Sequence, residues 1–502
     1  MIHIIMTRKT TTSFFIFIVG LTITVIIGFA GLLGIDKTPD TWGRTRTVVF
    51  VFGILIMVFS VFYYRYFSQL TGFGFIKTIK DSVFYKYLFI FPIFILIVLV
   101  YVWFVSSGTW TVWNSPTRYY ASLAQGFRYG NLFIPTKPDP LLAELKDPYD
   151  PSNWRGKVEV PMDISYYKGR YYLYWGAAPA VLLYMIQPFY SGRIGDLFLV
   201  FAFVCGIFLF QILILINVWE RFFHQLPLWL LKISIWIIGL ACPVTFMLGN
   251  FKGARIYEAA VTGGQFFLVV AIFLVFTTQN KYISLSRLFL AGVFLAFAVG
   301  SRLTLLFPIV FFVFMCLLRI VGTDEKPLTK FVNLFALGIP LLFGAGILAW
   351  YNWARFGSIT ESGLYYQLTG GFDIQKHYGE LADLRYIPQN IYNYVFYPFA
   401  LEKKIPFFFP RYAYDISIVP AIKIPDFYSG QWLTGILWTV PFVVFAVVPL
   451  TKLNLSVFRN KLEVNPEDNK KYLYSWMATL LAGITLISFI WMTFLVCHAL
   501  FV

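Results

Sequence analysis

The stretch WNSPTRYYASLAQGFRYGNLFIPTKPDPLLAELKDPYDPSNWRGKVEVPMDISYYKGRYYLYWGAAPAVLLY, residues 113–184, lies between a hydrophobic segment ending near Val105 and another starting near Gly195. It is aromatic, dense in charge of both signs, and carries helical periodicity, turn sequences and clustered carboxylates. A plain connector between two apolar segments is usually short or low in complexity. This stretch reads as the working part of the molecule, and the apolar remainder as its scaffold.

Composition supports that division. The chain is 59% hydrophobic, 21% aromatic and only 13% charged, with a mean hydropathy of +0.71. Soluble domains carry about a quarter charged residues. Many segments run to roughly 18–25 apolar residues, enough to cross a bilayer core as helix. The expectation is an all-α polytopic membrane protein with spans at about 13–34, 47–66, 87–107, 195–217, 226–248, 257–277, 287–301, 303–320, 331–350, 432–450 and 473–497, about eleven transmembrane helices. The start, MIHIIMTRKTTTS, has no small-residue cleavage site, and the apolar run after it is full length. It reads as the first span, not a cleaved signal. The pair 287–301 and 303–320, interrupted at Gly300, Ser301 and Arg302, also reads as one broken helix.

The segment 171–190 is apolar but holds Trp175, Gly176, Pro179 and Pro188, which suits a bent helix lying at the interface. Left uncounted, it places the long loops 108–170 and 351–431 on one side. The basic residues of the short loops (Arg8, Lys9, Lys77, Lys80, Lys86, Arg221, Lys281, Arg287, Lys326, Lys330, Arg459, Lys461, Lys470, Lys471) then all fall on the other, the cytoplasmic bias of membrane proteins. The chain divides into N-terminal spans 1–86, a membrane module 87–350 with external loop 108–194, an external loop 351–431 and C-terminal spans 432–502. The net charge of +16 sits beside spans without a run of five Lys or Arg. It speaks for membrane lipid as a partner, not nucleic acid. The cysteines, Cys205, Cys242, Cys316 and Cys497, fall in apolar segments without ligand or CxxC spacing, and the histidines are scattered, so no metal site follows.

Within the first long loop, Ser115 and Pro116 suit the cap and first position of a helix. Tyr119, Leu123 and Phe127 recur at helical spacing, and Gly130-Asn131 closes it: an amphipathic helix over 116–129, lying on the membrane surface. Tyr, Trp, Arg and Asp crowded together suit a carbohydrate, whose rings stack on aromatics and whose hydroxyls donate to carboxylates. An interfacial aromatic belt fits the same composition. Asp147 and Asp150 of DPYDP either build turns or join Asp163 as candidate acids.

On these residues the loop resembles the first external loop of the GT-C superfamily of membrane glycosyltransferases, especially the protein O-mannosyltransferase and lipid A aminoarabinose transferase branch. The resemblance is carried by Arg118-Tyr119, the helix 116–129, Gly130-Asn131-Leu132-Phe133-Ile134-Pro135, and Tyr172-Leu173-Tyr174-Trp175 to Pro179, and it covers roughly 87–320. The chain is also similar to bacterial polytopic membrane proteins sharing DPYDP (147–151), GRYYLYWG (169–176) and YNxxRFG (351–357). The resemblance implies the non-crossing interfacial helix, a site on the extracytoplasmic face of a plasma (inner) membrane, and transfer of a sugar from a polyprenyl-phosphate donor to a glycan, lipid or protein acceptor.

One departure matters. The family's acidic pair, which supplies a base or metal ligand, would fall at Asn114-Ser115-Pro116, and none of these is acidic. An amide takes up no proton, so general-base chemistry needs another carboxylate. Asp163, beside the Tyr-rich interfacial segment, is the candidate, with Glu258 of NFKGARIYEAAVTGGQ at the family's second acidic position. A carboxylate at a helix start also has a structural reading, through the helix dipole. Whether a divalent metal takes part is open.

Arg118, Arg255, Arg302 and Arg355, with Lys252, are candidates for the donor phosphate; snorkelling arginines that hold lipid headgroups are the structural alternative. Glu361, Tyr365 and Trp175 complete the candidate binding set. A transporter or flippase is the first competing reading. Ion-coupled transporters keep ionisable residues near the midplane, where these spans hold almost none beyond Lys232. An inactive GT-C-like scaffold that binds lipid-linked glycans is the second, kept open by Asn114.

Overall fold

The computed structural model describes residues 2–30, 43–70, 90–161, 163–186, 194–241, 255–276, 283–403, 408–412, 432–441, 444 and 466–493. These are mostly helical. Twelve helices carry the description: α1 (Ile2–Gly28), α2 (Arg44–Leu70), α3 (Ile90–Val105), α4 (Tyr119–Arg128), α5 (Ala178–Ile186), α6 (Asp196–Val218), α7 (Leu228–Ala241), α8 (Ile256–Phe276), α9 (Leu285–Ser301), α10 (Leu306–Val321), α11 (Pro327–Phe356) and α12 (Pro466–Thr493). Four stretches, Asp196–Phe223, Ile256–Phe276, Leu303–Val321 and Pro327–Phe356, are long and apolar enough to cross a membrane, and shorter apolar helices accompany them. Along α11, Phe331, Phe335, Ile339, Leu342, Phe343, Ile347 and Trp350 are all exposed. In water such a continuous apolar surface would drive association; facing hydrocarbon it carries no penalty. Residues 442–443 and 445–450 of the expected span 432–450, and Lys77, Lys80, Lys86, Cys242, Lys252, Lys281, Arg459, Lys461 and Cys497, lie outside the described residues.

The chain divides into two compact units. The first is Met1–Ala121, Leu182–Cys205 and Leu226–Arg255; the second is Ser122–Val181, Gly206–Gln225 and Ile256–Val502.

In the first unit α1 and α2 run antiparallel, with Gly20 set against Gly53 and the Ser60 hydroxyl donating to Ser13 O at 2.6 Å. A Cβ on Gly20 would lie 2.8 Å from Gly53 O, so the two glycines set the approach of the backbones, the small-residue crossing typical of membrane helices. Arg46 donates to Ile27 O and Gly28 O, satisfying carbonyls at the end of α1 that have no partner within their own helix. Tyr101 of α3 donates to Gly239 O of α7 at 2.7 Å.

The start of α4 departs from the sequence expectation. The helix begins at Tyr119, not Pro116, and its cap is not Ser115. The buried Asp196 carboxylate accepts from the Thr117 hydroxyl (2.5 Å), Tyr119 N (3.1 Å) and Tyr120 N (3.2 Å). Ser115 is committed elsewhere: its Oγ accepts from Leu197 N at 3.2 Å, in the first turn of α6, and donates to Thr117 O. Each segment thus caps the helix of the other.

In the second unit, close approaches fix the direction of four helices. Gly264 of α8 lies against Ala298, Arg302 and Leu305, at the junction of α9 and α10. At the far end of α8, Val275 O accepts from Arg319 of α10. Helices α8 and α10 therefore run the same way, and α9 returns between them. Gly292 and Ala296 of α9 meet Leu337 and Gly344 of α11 in ascending order, so α11 runs with α9. Residues 287–320 are two helices that reverse direction, not one broken helix. The hinge is Arg302, in extended backbone at φ −146°, followed by a 3-10 turn, Leu303–Leu305. Helix α12 lies antiparallel to α10, with Gly483 against Phe311 and Trp476 Nε1 donating to Met315 O.

The all-α expectation needs one correction. A three-stranded sheet, order β2-β1-β3, forms from β1 (Ile164–Tyr167), β2 (Arg170–Tyr172) and β3 (Gln367–Leu368). Of the segment 171–190, the described residues are strand to Tyr172 and helix from Ala178 to Ile186; residues 187–190 lie outside the described residues.

Candidate functional site

The site is built on that sheet. Strands β1 and β2 form a hairpin with Tyr166 opposite Tyr171. At its tip Lys168 and Gly169 both adopt positive φ, 49° and 72°, as the tight two-residue turn of a twisted hairpin requires. Strand β3 comes from the second long loop and pairs with β1, Ile164 opposite Leu368 and Ser165 opposite Gln367. Ser165 Oγ donates to Gly363 O of the same loop at 2.8 Å. On the other edge Ile134 N donates to Tyr171 O, which ties Gly130–Pro135 to β2. The two long loops, some 200 residues apart in the chain, are thus one hydrogen-bonded assembly.

Asp163 stands immediately before β1, half-buried and at φ +55°, a left-handed conformation that a non-glycine residue adopts only when its surroundings hold it there. Gln367 Nε2 donates to its Oδ1 at 3.0 Å and reaches the Tyr174 hydroxyl at 3.3 Å. The Tyr174 ring lies 4.4 Å from that of Trp175, tilted by 35°, and the Trp175 ring meets Tyr257 of α8 edge-on at 5.0 Å. The Arg302 guanidinium lies over the Trp175 ring at 4.5 Å, a cation–π contact strengthened by the burial of both residues. Gly176 then rests on the end of α9, where a Cβ would lie 2.0 Å from Gly300 O.

Of the residues expected from sequence, Asp163, Trp175 and Arg302 are therefore joined by a short chain of contacts. Glu258 stands in the first turn of α8, next to Tyr257 and half-buried. The bridging residues, Gln367 and Tyr174, are not among the site candidates read from the sequence. A two-residue strand has no periodicity to detect, and Tyr174 is one of six Tyr or Trp between 166 and 175.

Arg355 differs from the expectation. It is 6% exposed, and its guanidinium donates to Leu173 O (2.6 Å), Tyr351 O, Asn352 Oδ1 and Ser362 O while lying over the Tyr351 and Phe356 rings. A donor phosphate would have to displace these bonds. Arg355 is a brace between α11, the end of β2 and the second loop. Glu361 Oε1 accepts from Gly363 N at 2.6 Å and Tyr365 O accepts from Gln375, so both help shape that loop. Arg118 (exposed) and Arg255 (half-buried) belong to the first unit. Asn114 is exposed, and Asp196, the buried acid that approaches its neighbour Ser115, is spent on capping α4.

The DPYDP carboxylates build turns, as one of their two readings had it. Asp147 Oδ1 accepts from Tyr149 N and Asp150 N, and Asp150 Oδ1 from Ser152 N and Oγ. With Asp373 they form a triad whose oxygens lie within 4.8 Å of one another, the kind of donor set a hard cation takes. Lys376 Nζ lies among them, 2.9 Å from Asp373, 3.1 Å from Asp150 and 4.0 Å from Asp147. The Ser152 hydrogen bonds and then Lys376 hold Asp150 down at about 2, and Asp373 and Asp150 raise Lys376. An open cleft of about 560 Å³ beside the triad is lined by Leu145–Tyr149, Asn153 and Gln375.

Burial pushes Tyr171 up to about 12 and raises Tyr149, Tyr166, Tyr366 and Tyr378. These phenols stay protonated at neutral pH and serve as hydrogen-bonding and ring-packing groups.

No family model, curated protein or solved structure matches this chain.

Proposed function

We propose that the protein is a polytopic membrane glycosyltransferase of about eleven spans, with its site on the extracytoplasmic side, that moves a sugar from a polyprenyl-phosphate donor to a hydroxyl-bearing acceptor. The observation that carries this reading is the contact chain Asp163–Gln367–Tyr174–Trp175–Arg302. It sets a carboxylate, packed aromatics and a guanidinium together where an ordered loop assembly meets helix ends. In the proposed step Asp163 takes the proton of the acceptor hydroxyl, the freed oxygen bonds to the anomeric carbon, and the bond from that carbon to the phosphate oxygen breaks. The electron pair leaves with the polyprenyl phosphate, whose charge Arg302 offsets. Glu258 is the second acid, and Trp175 lies against the Arg302 guanidinium.

The scaffold reading draws support from one observation: no acidic residue stands at 114–116, and the nearest buried acid, Asp196, is fully engaged as a cap. The test that separates the two uses purified protein in nanodiscs with radiolabelled polyprenyl-phosphate sugars and envelope lipid extract. A transferase releases polyprenyl phosphate and labels an acceptor. Binding of donor with no release above that of a Glu258→Gln, Asp163→Asn double variant would establish the scaffold instead.

A further inference from the structure

The side-chain amide of Gln367 has one committed end and one uncommitted end. Nε2 is held by Asp163 and Tyr174, but Oε1 is buried without a hydrogen-bond partner, in a residue that is 0% exposed. A flip does not remove the difficulty. It would set the amide oxygen against the Asp163 carboxylate, which only accepts when ionised. The orientation is fixed by its neighbours, and the oxygen is directed away from Asp163.

A second uncommitted group belongs to Trp175, whose ring lies 4.4 Å from that of the same tyrosine. Trp175 is 5% exposed, and its Nε1–H is buried without an acceptor. Its ring faces are taken by Tyr174, Tyr257 and Arg302, so packing fixes the indole while its one polar atom goes unused. Buried polar atoms are nearly always paired in native proteins, and each exception calls for an explanation: strain, a role in chemistry, or a water or ligand that completes the pair. Here an unmatched acceptor and an unmatched donor belong to two residues that both touch Tyr174, and Gln367 also holds a carboxylate at positive φ.

We propose that Gln367 Oε1 and Trp175 Nε1 form a recognition subsite for two hydroxyl groups of one sugar, one donating to Gln367 and the other accepting from Trp175. Gln367 is then both the positioning residue of Asp163 and a specificity residue. A phosphate, with acceptors only, leaves Oε1 unmatched, and an ammonium, with donors only, leaves Nε1 unmatched. A polyol serves both. The subsite deepens the transferase reading and rests on it for its place in a reaction, though not for its chemistry of binding.

The experiment therefore measures binding without turnover. Methyl glycosides of common hexoses and their monodeoxy counterparts are offered to the full-length protein in nanodiscs, with saturation-transfer NMR as the readout. The expected result is that one glycoside binds and that removing one hydroxyl weakens it about 10-fold or more, the loss that follows when a buried polar group is left unpaired. In Gln367→Met, close in size but unable to accept, the parent and that deoxy sugar should bind alike. Trp175→Phe, which keeps the ring packing and drops the N–H, should erase the discrimination at a different hydroxyl. Uniform weakening of every glycoside in both variants would mean that the residues only brace the sheet, and wild-type protein that binds none of the glycosides also overturns the subsite. Selective binding with no transfer would leave the subsite standing and remove the transferase reading.

Discussion

Gln367 Nε2 lies 3.0 Å from Oδ1 of Asp163, a contact between residues 204 positions apart. It is the point at which the second long loop takes hold of the carboxylate offered by the first. Whatever Asp163 does depends on where β3 sits, and β3 is placed by Arg355 and by the ladder to β1.

The first prediction concerns that carboxylate. Asp163→Asn keeps the size and loses the proton acceptor, so transfer should fall about 10²- to 10⁴-fold while the protein still inserts. Asn114→Ala should change the rate little. Radiolabelled transfer by protein in nanodiscs, normalised to inserted protein, decides it; an Asp163→Asn variant with wild-type turnover would remove this residue from the mechanism.

Arg355 should matter for stability and not for donor affinity. Arg355→Lys keeps the charge but cannot reach Leu173 O, Asn352 and Ser362 O together, and should cost roughly 2–3 kcal/mol. The expected readout is a lowered Tm with faster proteolysis of the second loop. An unchanged Tm accompanied by weaker donor binding would return Arg355 to the binding set.

The Lys376 latch gives a pH prediction. Asp150 is depressed from 3.8 to about 2, so its contribution is present above pH 3.8 and is lost as pH falls through 2. Lys376 is raised from 10.5, so its contribution is complete below pH 10.5 and is lost only as pH climbs past its raised value. Hydrogen exchange of the Ser152 and Gln375 amides, corrected for the intrinsic rate, should stay flat between about pH 4 and 10 and rise below that window. Because Lys376 is exposed, added salt should loosen the latch, and Lys376→Met should make exchange independent of salt. Exchange that quickens between pH 5 and 8 would mean that some other group holds these turns.

The sheet also makes a topological prediction. A strand pair places both partners on one side of any membrane. Cysteines introduced at the exposed Glu144 and Glu380 should therefore react with an impermeant maleimide from the same face in intact cells. Reaction from opposite faces is incompatible with the β1–β3 pairing.

Much of the scaffold is legible in the sequence because one property, an apolar run of bilayer length, dictates it. The reversal at Arg302 is legible as well: Gly300, Ser301 and Arg302 interrupt two runs that are each nearly long enough. The hairpin was there to be read, in ISYYKGRYY, as two aromatic strands around Lys168-Gly169; its tyrosines fitted an interfacial belt equally well and hid it. The site is less legible because its decisive contacts are non-local. Nothing near Asp163 announces Gln367, and nothing near Arg355 announces Leu173 O. The cap on α4 misled for a related reason. Ser115-Pro116 has the local pattern of a helix start, but the buried Asp196 carboxylate, from a distant part of the chain, takes the Tyr119 and Tyr120 N–H groups and the Thr117 hydroxyl.

The contact between Gly176 and Gly300 bears on how such a protein changes over time. Gly176 has no room for even a methyl group unless the end of α9 moves, whereas a Cβ on Gly300 would meet only Ala178 Cβ, at 3.4 Å, an ordinary contact. The loop segment that carries Gly176 is therefore not a detachable cassette. Grafted onto another helical bundle, it would need a helix end that leaves the same clearance over Gly176. Loop and bundle must be inherited, and must diversify, as a single piece, leaving the solvent-facing turns around DPYDP as the place where variation is cheapest.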